Sequence, residues 1–88
     1  MNYLHKEFDA KQGDIVYVEL DKQANIKLID SLNYQNYRNG LNYRYYGGLA
    51  KITPAKIPVP YQGHWHVVID LGGYSGTVRA LIKIIKRV

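Results

Sequence analysis

The residues best suited to chemistry lie in a segment rich in tyrosine, asparagine and arginine, between residues 33 and 46. Tyrosine offers a large flat contact area at a small entropy cost, and asparagine offers adaptable hydrogen bonding. Arginine among aromatic rings also suits stacking on sugars or unpaired bases. The composition predicts a ligand-binding surface made of Tyr34, Tyr37, Arg38, Tyr43, Arg44, Tyr45 and Tyr46. The alternative is that some of these tyrosines cover the end of a small core.

A second group of interest is the His64-Trp65-His66 triplet, whose two histidines would share one side of a strand beside the tyrosine surface. Two imidazoles at this spacing can bind one metal ion, with His5 or Asp70 as a third ligand. Because no zinc-binding signature accompanies the pair, we interpret both as solvent-facing or sheet-stacking histidines and predict no metal site.

Catalytic constellations are absent from the sequence. No GxSxG elbow surrounds Ser31 or Ser75, and no pair of carboxylates can be assigned to a shared cleft. The glycine-rich segment 72–76 lacks the Lys-Ser/Thr of a phosphate-binding loop, and a domain of 88 residues has little volume for a water-excluding pocket. We therefore predict a protein that is not an enzyme, with no catalytic residue and no cofactor.

Length and composition indicate one soluble domain spanning residues 1–88, with 47% hydrophobic and 22% charged residues. The absence of cysteine excludes disulfides and thiolate ligands and favours the cytoplasm. No apolar run approaches the ~20 residues of a membrane span, so no membrane association is predicted. The net charge of +5 is scattered apart from Lys83, Lys86 and Arg87, which we interpret as a solvated terminus.

Short segments with a period of two predict strands at residues 3–8, 15–20 and 24–29, a further short strand at 49–52, and an edge strand in the proline-containing stretch 54–61. The alternation predicts which side chains face inward: Leu4, Phe8, Val16, Val18, Leu20, Ile26, Leu28, Ile57, Val59 and Tyr61.

A helix of about two turns is predicted after the third strand. Asp30 or Ser31 can cap its beginning, and Asn39-Gly40 suits its end. Asparagine and tyrosine have indifferent helix propensity, so the helix should depend on packing Leu32 and one tyrosine against the sheets.

Residues 63–86 are predicted to form the central hairpin, two strands joined by the glycines at 72, 73 and 76. Trp65, Val67, Ile69 and Leu71 share one face of the first strand, so we expect a buried tryptophan. Val78, Ala80, Ile82 and Ile84 share one face of the second. The opposite face of that second strand also carries apolar residues, and it is either covered or free for a partner.

Several short strands with one small helix predict an all-β, antiparallel β-sandwich, with a small closed barrel as the alternative. The runs LNYQNYRNG, YRYYGG and GHWHVVIDLGGYSGTVRA resemble a small bacterial family of unknown function, whose members occur alone or beside a TIR-type signalling domain. The resemblance implies a jelly-roll-like sandwich of two sheets, similar to CUB and collagen-binding domains. It implies no activity or catalytic residues, only an accessory or sensing role.

The leading hypothesis is therefore a binding or interaction module for a protein partner or small ligand. One alternative is single-stranded nucleic-acid binding by the same aromatic and basic surface, which the scattered charge does not favour. Another is a structural oligomer subunit that assembles through an edge strand or the Leu81–Ile85 surface.

Overall fold

The computed structural model describes residues 3–72 and 76–87, which form two antiparallel sheets and one helix. The elements are β1 (Leu4–Ala10), β2 (Ile15–Leu20), β3 (Ala24–Asp30), α1 (Ser31–Arg38), β4 (Tyr46–Ala50), β5 (Ala55–Pro58), β6 (Gly63–Asp70) and β7 (Ala80–Ile85). This arrangement confirms the predicted all-β sandwich with one short inserted helix.

The first sheet has the strand order β1-β6-β3-β4, and the second has the order β5-β2-β7. Among consecutive strands of the described ranges, only β3 and β4 are neighbours in one sheet, and α1 lies between them in the chain. Every other connection carries the chain from one sheet to the other. The structure is therefore two separate sheets rather than the closed barrel.

The predicted hairpin over residues 63–86 is wrong. β6 pairs with β1 and β3 at the centre of the first sheet, whereas β7 pairs with β2 at an edge of the second. The glycine-rich segment therefore joins the two sheets, and its residues 73–75 lie outside the described part of the chain. Alternation and a glycine turn are equally compatible with a hairpin and with a crossover between sheets.

The core lies between the sheets, and its largest fully buried side chain is Trp65, which is 0% exposed. The predicted inward faces of β2, β3, β6 and β7 are confirmed: their residues are buried or pack against the buried cluster. Leu81 and Ile85 are 46% and 48% exposed, on the outer face of the second sheet.

Two predicted inward residues are largely exposed. Leu4 is 39% exposed, since it begins an edge strand. The proline-containing segment does form an edge strand, β5, and Val59 after it is buried. Tyr61, however, is 45% exposed; its ring lies 4.8 Å from that of Trp65, and its carbonyl accepts a hydrogen bond from the Trp65 indole N–H at 3.1 Å.

Helix α1 begins and ends as its sequence predicts. The Asp30 side chain accepts a hydrogen bond from the Asn33 backbone N–H at 2.8 Å and another from the Tyr61 hydroxyl at 2.6 Å. At the other end Gly40 has a φ of 73°, and the Leu41 N–H bonds to the Asn36 carbonyl at 2.9 Å. This is the left-handed termination that glycine allows at low steric cost.

The helix packs on the outer face of the first sheet through Tyr34, which is 7% exposed and contacts Ile29 and Val68. Helix packing by one tyrosine is thus confirmed, but the predicted role of Leu32 is wrong. Leu32 is 71% exposed because the side of the helix that carries Tyr34 and Tyr37 faces the sheet. On the outward side of β6, α1 therefore covers His66 and Val68, whereas His64 remains exposed.

The end of the described chain is anchored by a buried carboxylate. Asp14 is 0% exposed and accepts hydrogen bonds from the Lys11 N–H at 3.0 Å and the Arg87 N–H at 2.8 Å. Lys86 lies 3.3 Å from the same carboxylate. These backbone hydrogen bonds lower the pKa of Asp14. Part of the terminal basic cluster therefore has a structural role.

Candidate functional site

Imidazole and carboxylate side chains gather on the outer face of the first sheet, where β1 and β6 pair. The register places Glu7 opposite His66 and Asp9 opposite His64. Since side chains alternate along a strand, His5 shares their face. We call these five residues, His5, Glu7, Asp9, His64 and His66, the imidazole face.

A chain of hydrogen bonds crosses the imidazole face. His5 Nε2 lies 2.8 Å from His66 Nδ1, and His66 Nε2 lies 3.2 Å from Ser31 Oγ. Ser31 Oγ in turn donates to the His64 carbonyl oxygen at 3.2 Å. A carbonyl can only accept, so the single serine proton is committed and Ser31 Oγ must accept from His66 Nε2. The unprotonated nitrogen of neutral His66 is therefore Nδ1, which faces His5.

The ring of Tyr34 covers both of these imidazoles. Its centroid lies 4.6 Å from that of His5 and 4.0 Å from that of His66, with planes within 9° of parallel. Its hydroxyl lies 3.1 Å from the Tyr3 hydroxyl and 3.5 Å from His5 Nδ1. Burial and the hydrogen bond to Tyr3 raise the pKa of Tyr34 to about 12. Tyr34 thus serves as the cover of the site.

The two histidines of β6 have opposite electrostatic surroundings. His64 lies 2.7 Å from Asp9 and 3.1 Å from Glu7, and these carboxylates raise its pKa. The hydrogen bond to His64 lowers the pKa of Glu7. Burial, together with the neighbouring His5, lowers the pKa of His66. His64 is therefore biased towards the charged form and His66 towards the neutral form, in which one ring nitrogen has a free lone pair.

A second cluster, which we call the lysine cage, surrounds the ammonium of Lys27 on the same sheet. The Lys27 Nζ lies 5.4, 5.6 and 5.5 Å from the ring centroids of Tyr37, Tyr43 and Tyr45. It also donates to the Tyr43 hydroxyl at 3.0 Å and lies 3.4 Å from Asp70 Oδ2. The rings of three predicted site residues therefore already contact a cation of their own chain.

The Lys27–Asp70 pair is charged on both sides. Burial opposes the ammonium, but the Tyr43 hydroxyl and the Asp70 carboxylate raise the pKa of Lys27. Burial likewise opposes the carboxylate, but hydrogen bonds from Asn25 and the Gly72 N–H, together with Lys27, lower the pKa of Asp70. The carboxylate is thus stabilised by several partners at once.

Comparison with protein-family models finds a match over residues 1–88 to DUF1883, a domain of unknown function. The chain belongs to the DUF1883 family. No curated protein and no solved structure matches it. No helix within residues 3–72 and 76–87 has the length and apolar character needed to cross a membrane.

In this DUF1883 chain the predicted site residues do not form one surface. Tyr34 and His66 are buried, Tyr37 and Tyr43 are half-buried, and the remaining five are exposed: Arg38, Arg44, Tyr45, Tyr46 and His64. The ring of Tyr45 contacts that of Tyr43 at 5.7 Å, whereas the ring of Tyr46 lies 6.0 Å from Trp65 at the rim of the core. Adjacent residues on a strand point to opposite faces, so these two tyrosines are separated.

Two of the exposed residues, Arg44 and Tyr45, belong to a well-anchored segment after α1, and a third, Arg38, is the last residue of the helix. Arg44 donates its backbone N–H to Asn33 Oδ1 at 2.8 Å, and Asn33 is itself bonded to the Asp30 carboxylate that caps the helix. We call the exposed side chains of Arg38, Arg44 and Tyr45 the aromatic-basic platform.

Sequence reasoning did not identify every side chain that surrounds the β6 histidines of the DUF1883 chain. Of the two proposed third ligands beside the β6 histidines, His5 contacts His66, whereas Asp70 pairs with Lys27 instead. Glu7 was not considered, although its alternation with His5 on β1 was a usable signal. Ser31 was considered only as a helix cap and a nucleophile, and it orients His66.

An apolar groove lies between the edge strands of the two sheets. It has a volume of about 400 Å³ and is lined by residues of β3, β4, β5 and the segment between β4 and β5, including Ile26, Leu49, Ile52 and Ile57. Leu49 and Ile52 are 53% and 84% exposed. The sandwich is thus open along this side.

Proposed function

We propose that the chain is a non-enzymatic, cytoplasmic binding module that recognises a protein partner or small ligand through the aromatic-basic platform. Within the predicted tyrosine surface, Arg38, Arg44 and Tyr45 would contact the ligand. Tyr34, Tyr37 and Tyr43 would support them from beneath, and Tyr46 lies on the other face of β4.

The observation that carries this proposal is that Arg44 and Tyr45 stand on an ordered segment without regular secondary structure over residues 41–45, while Arg38 stands on the last turn of α1. The Arg44 N–H is bonded to Asn33, and the Tyr43 hydroxyl accepts from Lys27. A binding segment held in place before the ligand arrives loses less conformational entropy on binding. The exposed guanidinium and phenol groups are thus presented by a preorganised backbone.

The side chains of the platform indicate the chemistry of the partner. Two guanidinium groups favour carboxylate, sulfate or phosphate groups, which they can bind in a bidentate manner. The exposed phenol ring of Tyr45, which directly follows Arg44 in the chain, offers a stacking or packing surface. An anionic ligand with a flat or apolar portion fits both features.

The surroundings of Ser31 support a non-enzymatic role. Its hydroxyl donates to the His64 carbonyl rather than to His66, so the histidine is not placed to remove the serine proton. The Asp30 carboxylate accepts the Asn33 N–H in the first turn of α1, so this N–H is not available to stabilise an oxyanion formed by attack of Ser31. The negative charge of Asp30 would also repel such an oxyanion.

The test compares two variants that each remove two exposed positive charges. Arg38→Ala/Arg44→Ala changes the platform, and Lys51→Ala/Lys56→Ala is the matched control elsewhere on the surface. Binding of a fluorescent acidic peptide, a sulfated oligosaccharide and a dT oligonucleotide is measured by fluorescence anisotropy.

We expect at least one probe to bind, with an affinity loss of about tenfold or more in the platform variant, about 1.4 kcal/mol, and little change in the control. Equal losses of affinity in both variants would show that the probe binds through general charge attraction and not through the platform. Binding of no probe, or no effect of the platform variant, would contradict the proposal.

Single-stranded nucleic acid remains an alternative ligand of the same platform, because Arg38, Arg44 and Tyr45 combine charge with an exposed ring. It requires the affinity for the dT oligonucleotide to fall steeply as salt rises. A flat salt response would assign the platform to protein or sugar recognition.

A structural oligomer subunit is a second candidate function, favoured by the exposed apolar residues Leu49 and Ile52 beside the open groove and Leu81 and Ile85 on the second sheet. Light scattering across a concentration series tests it. A persistent monomer would exclude this function.

A further inference from the structure

We propose that His5, Glu7 and His66 form a binding site for a divalent transition-metal ion of the Zn²⁺ type. The site is separate from the aromatic-basic platform, so its existence does not depend on the proposed function. Each of the three residues offers one ligand atom, and these atoms lie within 4.8 Å of one another.

The pairing of β1 with β6 creates this ligand set. Glu7 lies directly opposite His66, and His5 lies two residues before Glu7 on the same face. Two strands of one sheet thus present two imidazoles and a carboxylate at a half-open position, with His66 buried and His5 and Glu7 exposed. An ion can reach the buried imidazole from the side of the two exposed ligands.

The hydrogen bonds around the histidines match those that orient metal ligands. A metal-bound histidine usually donates its other ring N–H to an oxygen. His66 Nε2 has Ser31 Oγ at 3.2 Å, and this oxygen acts as acceptor because its proton is donated to the His64 carbonyl. The lone pair on His66 Nδ1 is therefore directed towards His5 before any metal binds.

His5 has an oxygen partner at the corresponding position. Its Nδ1 lies 3.5 Å from the Tyr34 hydroxyl, and its Nε2 faces His66 Nδ1 at 2.8 Å. Without metal, the proton on His5 Nε2 fills the space between the two rings. Metal binding requires the neutral His5 ring to carry its proton on Nδ1 instead, where the N–H can donate a hydrogen bond to the Tyr34 hydroxyl, which in turn donates a hydrogen bond to the Tyr3 hydroxyl, 3.1 Å away. The change is a shift of tautomer and releases no net proton.

The two imidazoles need a modest separation to hold an ion. Ligand nitrogens at ~2.0–2.1 Å from a tetrahedral zinc ion lie roughly 3.3 Å apart, and the present nitrogens are 2.8 Å apart. His5 is on an edge strand and its side chain is exposed, so His5 is the ring that moves. The ring of Tyr34 keeps both imidazoles in nearly one plane during this movement.

The donor set selects the class of metal. Imidazole nitrogen suits zinc and its neighbours among the transition metals, whereas Mg²⁺ and Ca²⁺ prefer oxygen ligands only. Two histidines and one glutamate leave a fourth coordination position for water or an external ligand. The carboxylates of Glu7 and Asp9 also supply negative charge next to the ion.

In the test, the full, tag-free, isotope-labelled chain is first treated with a chelator, and ZnCl₂ is then titrated into it. Calorimetry measures the binding, and NMR monitors the resonances of the imidazole nitrogens. We expect one ion per chain with a dissociation constant of roughly micromolar or below. The His5 and His66 resonances should shift, and MgCl₂ should not reproduce the effect.

The variants His5→Gln and Glu7→Gln change exposed ligands, the exposed Glu19→Gln on the second sheet is the matched control, and His64→Gln tests the neighbouring imidazole. The first two should weaken zinc binding by about tenfold or more, whereas the control should change it less than about threefold. Thermal unfolding in the absence of zinc checks that each variant is folded.

Three results would overturn the proposal. They are an absence of imidazole shifts at about 1 mM zinc, binding that survives both ligand variants, and binding that is lost in His64→Gln but kept in His5→Gln. The last outcome would assign the ion to the pair of His64 and Asp9.

Discussion

Replacing Lys27 by methionine tests the lysine cage most directly, because it keeps the length of the side chain and removes only the ammonium. The Lys27 and Asp70 side chains are 15% and 2% exposed. In the variant, Asp70 keeps its hydrogen bonds from Asn25 and the Gly72 N–H but loses its only cationic partner within 4 Å among the described residues. A buried carboxylate thus remains without charge compensation.

The expected loss is a large part of the stability of the domain. Removing one partner of a buried ion pair costs about 3–5 kcal/mol. The three tyrosine rings around Nζ add further stabilisation, since a cation–π contact is worth roughly 0.5–1 kcal/mol at an exposed site and about 2 kcal/mol where the cation is desolvated, although such terms are not additive. We therefore expect a loss of about 4 kcal/mol, against about 4–13 kcal/mol of total stability for an 88-residue domain.

Urea unfolding measures this loss, with Trp65 fluorescence and circular dichroism as independent probes. Lys83→Met is the control, because Lys83 also lies over a tyrosine ring, that of Tyr17 at 6.0 Å, but is exposed. It should cost less than about 1 kcal/mol.

A double-mutant cycle with Asp70→Asn isolates the ion pair from the other contacts of Lys27. The double variant should be more stable than the sum of the single losses predicts, by about 2 kcal/mol. The reasoning is refuted if Lys27→Met changes stability by less than about 1 kcal/mol, or if Asp70→Asn costs the same in both backgrounds.

Three further predictions test packing and electrostatics. Trp65→Ala should lower the unfolding free energy by about 3–5 kcal/mol, measured by circular dichroism, and a loss below about 1 kcal/mol would contradict the assigned strand faces. Gly47→Ala should cost about 2 kcal/mol or more, because φ is 115° and a Cβ would collide with the backbone of β3. Gly48→Ala has a φ of 144° but open space around it, so it should cost less, and equal losses would refute the collision. Tyr61→Phe should raise the pKa of Asp30 in carbon-13 NMR titrations. Burial opposes ionisation of that carboxyl, but hydrogen bonds from Tyr61 and Asn33 lower its pKa below the unfolded value. The stability from this bond is therefore present at neutral pH and lost as pH falls through the folded-state pKa, and unchanged titration would contradict it.

Local patterns in the sequence predicted which residues meet the core, but not which strands pair. Alternation along β6 correctly assigned Trp65 to the interior, and the residues around α1 correctly assigned its two ends. The same alternation could not distinguish a hairpin between β6 and β7 from a crossover, because pairing depends on segments far away in the chain. The outward side of β6 looked solvated, but His66 and Val68 on that side are buried because α1 folds across them.

The imidazole face could not be predicted for the same reason. Glu7 and His66 are 59 positions apart in sequence, and only the register of β1 against β6 places them opposite each other. The spacing of His64 and His66 indicated two imidazoles on one side of a strand, but burial separates them: one is exposed and the other is covered by Tyr34. Tyrosine-rich composition likewise did not show that Lys27 would contact three of the rings.

The central position of β6 in its sheet has a consequence for how the polypeptide is made. β1 and β3 are synthesised early, yet neither touches the other, and the strand that joins them consists of residues 63–70. A nascent chain therefore presents β1 and β3 without their common neighbour, and the first sheet can form as a cooperative unit only after residues 63–70 have been synthesised. Pairing between strands that are distant in sequence slows folding, typically to the millisecond-to-second range. Until β6 is available, the early strands depend on chaperones or on rapid folding to avoid mispairing.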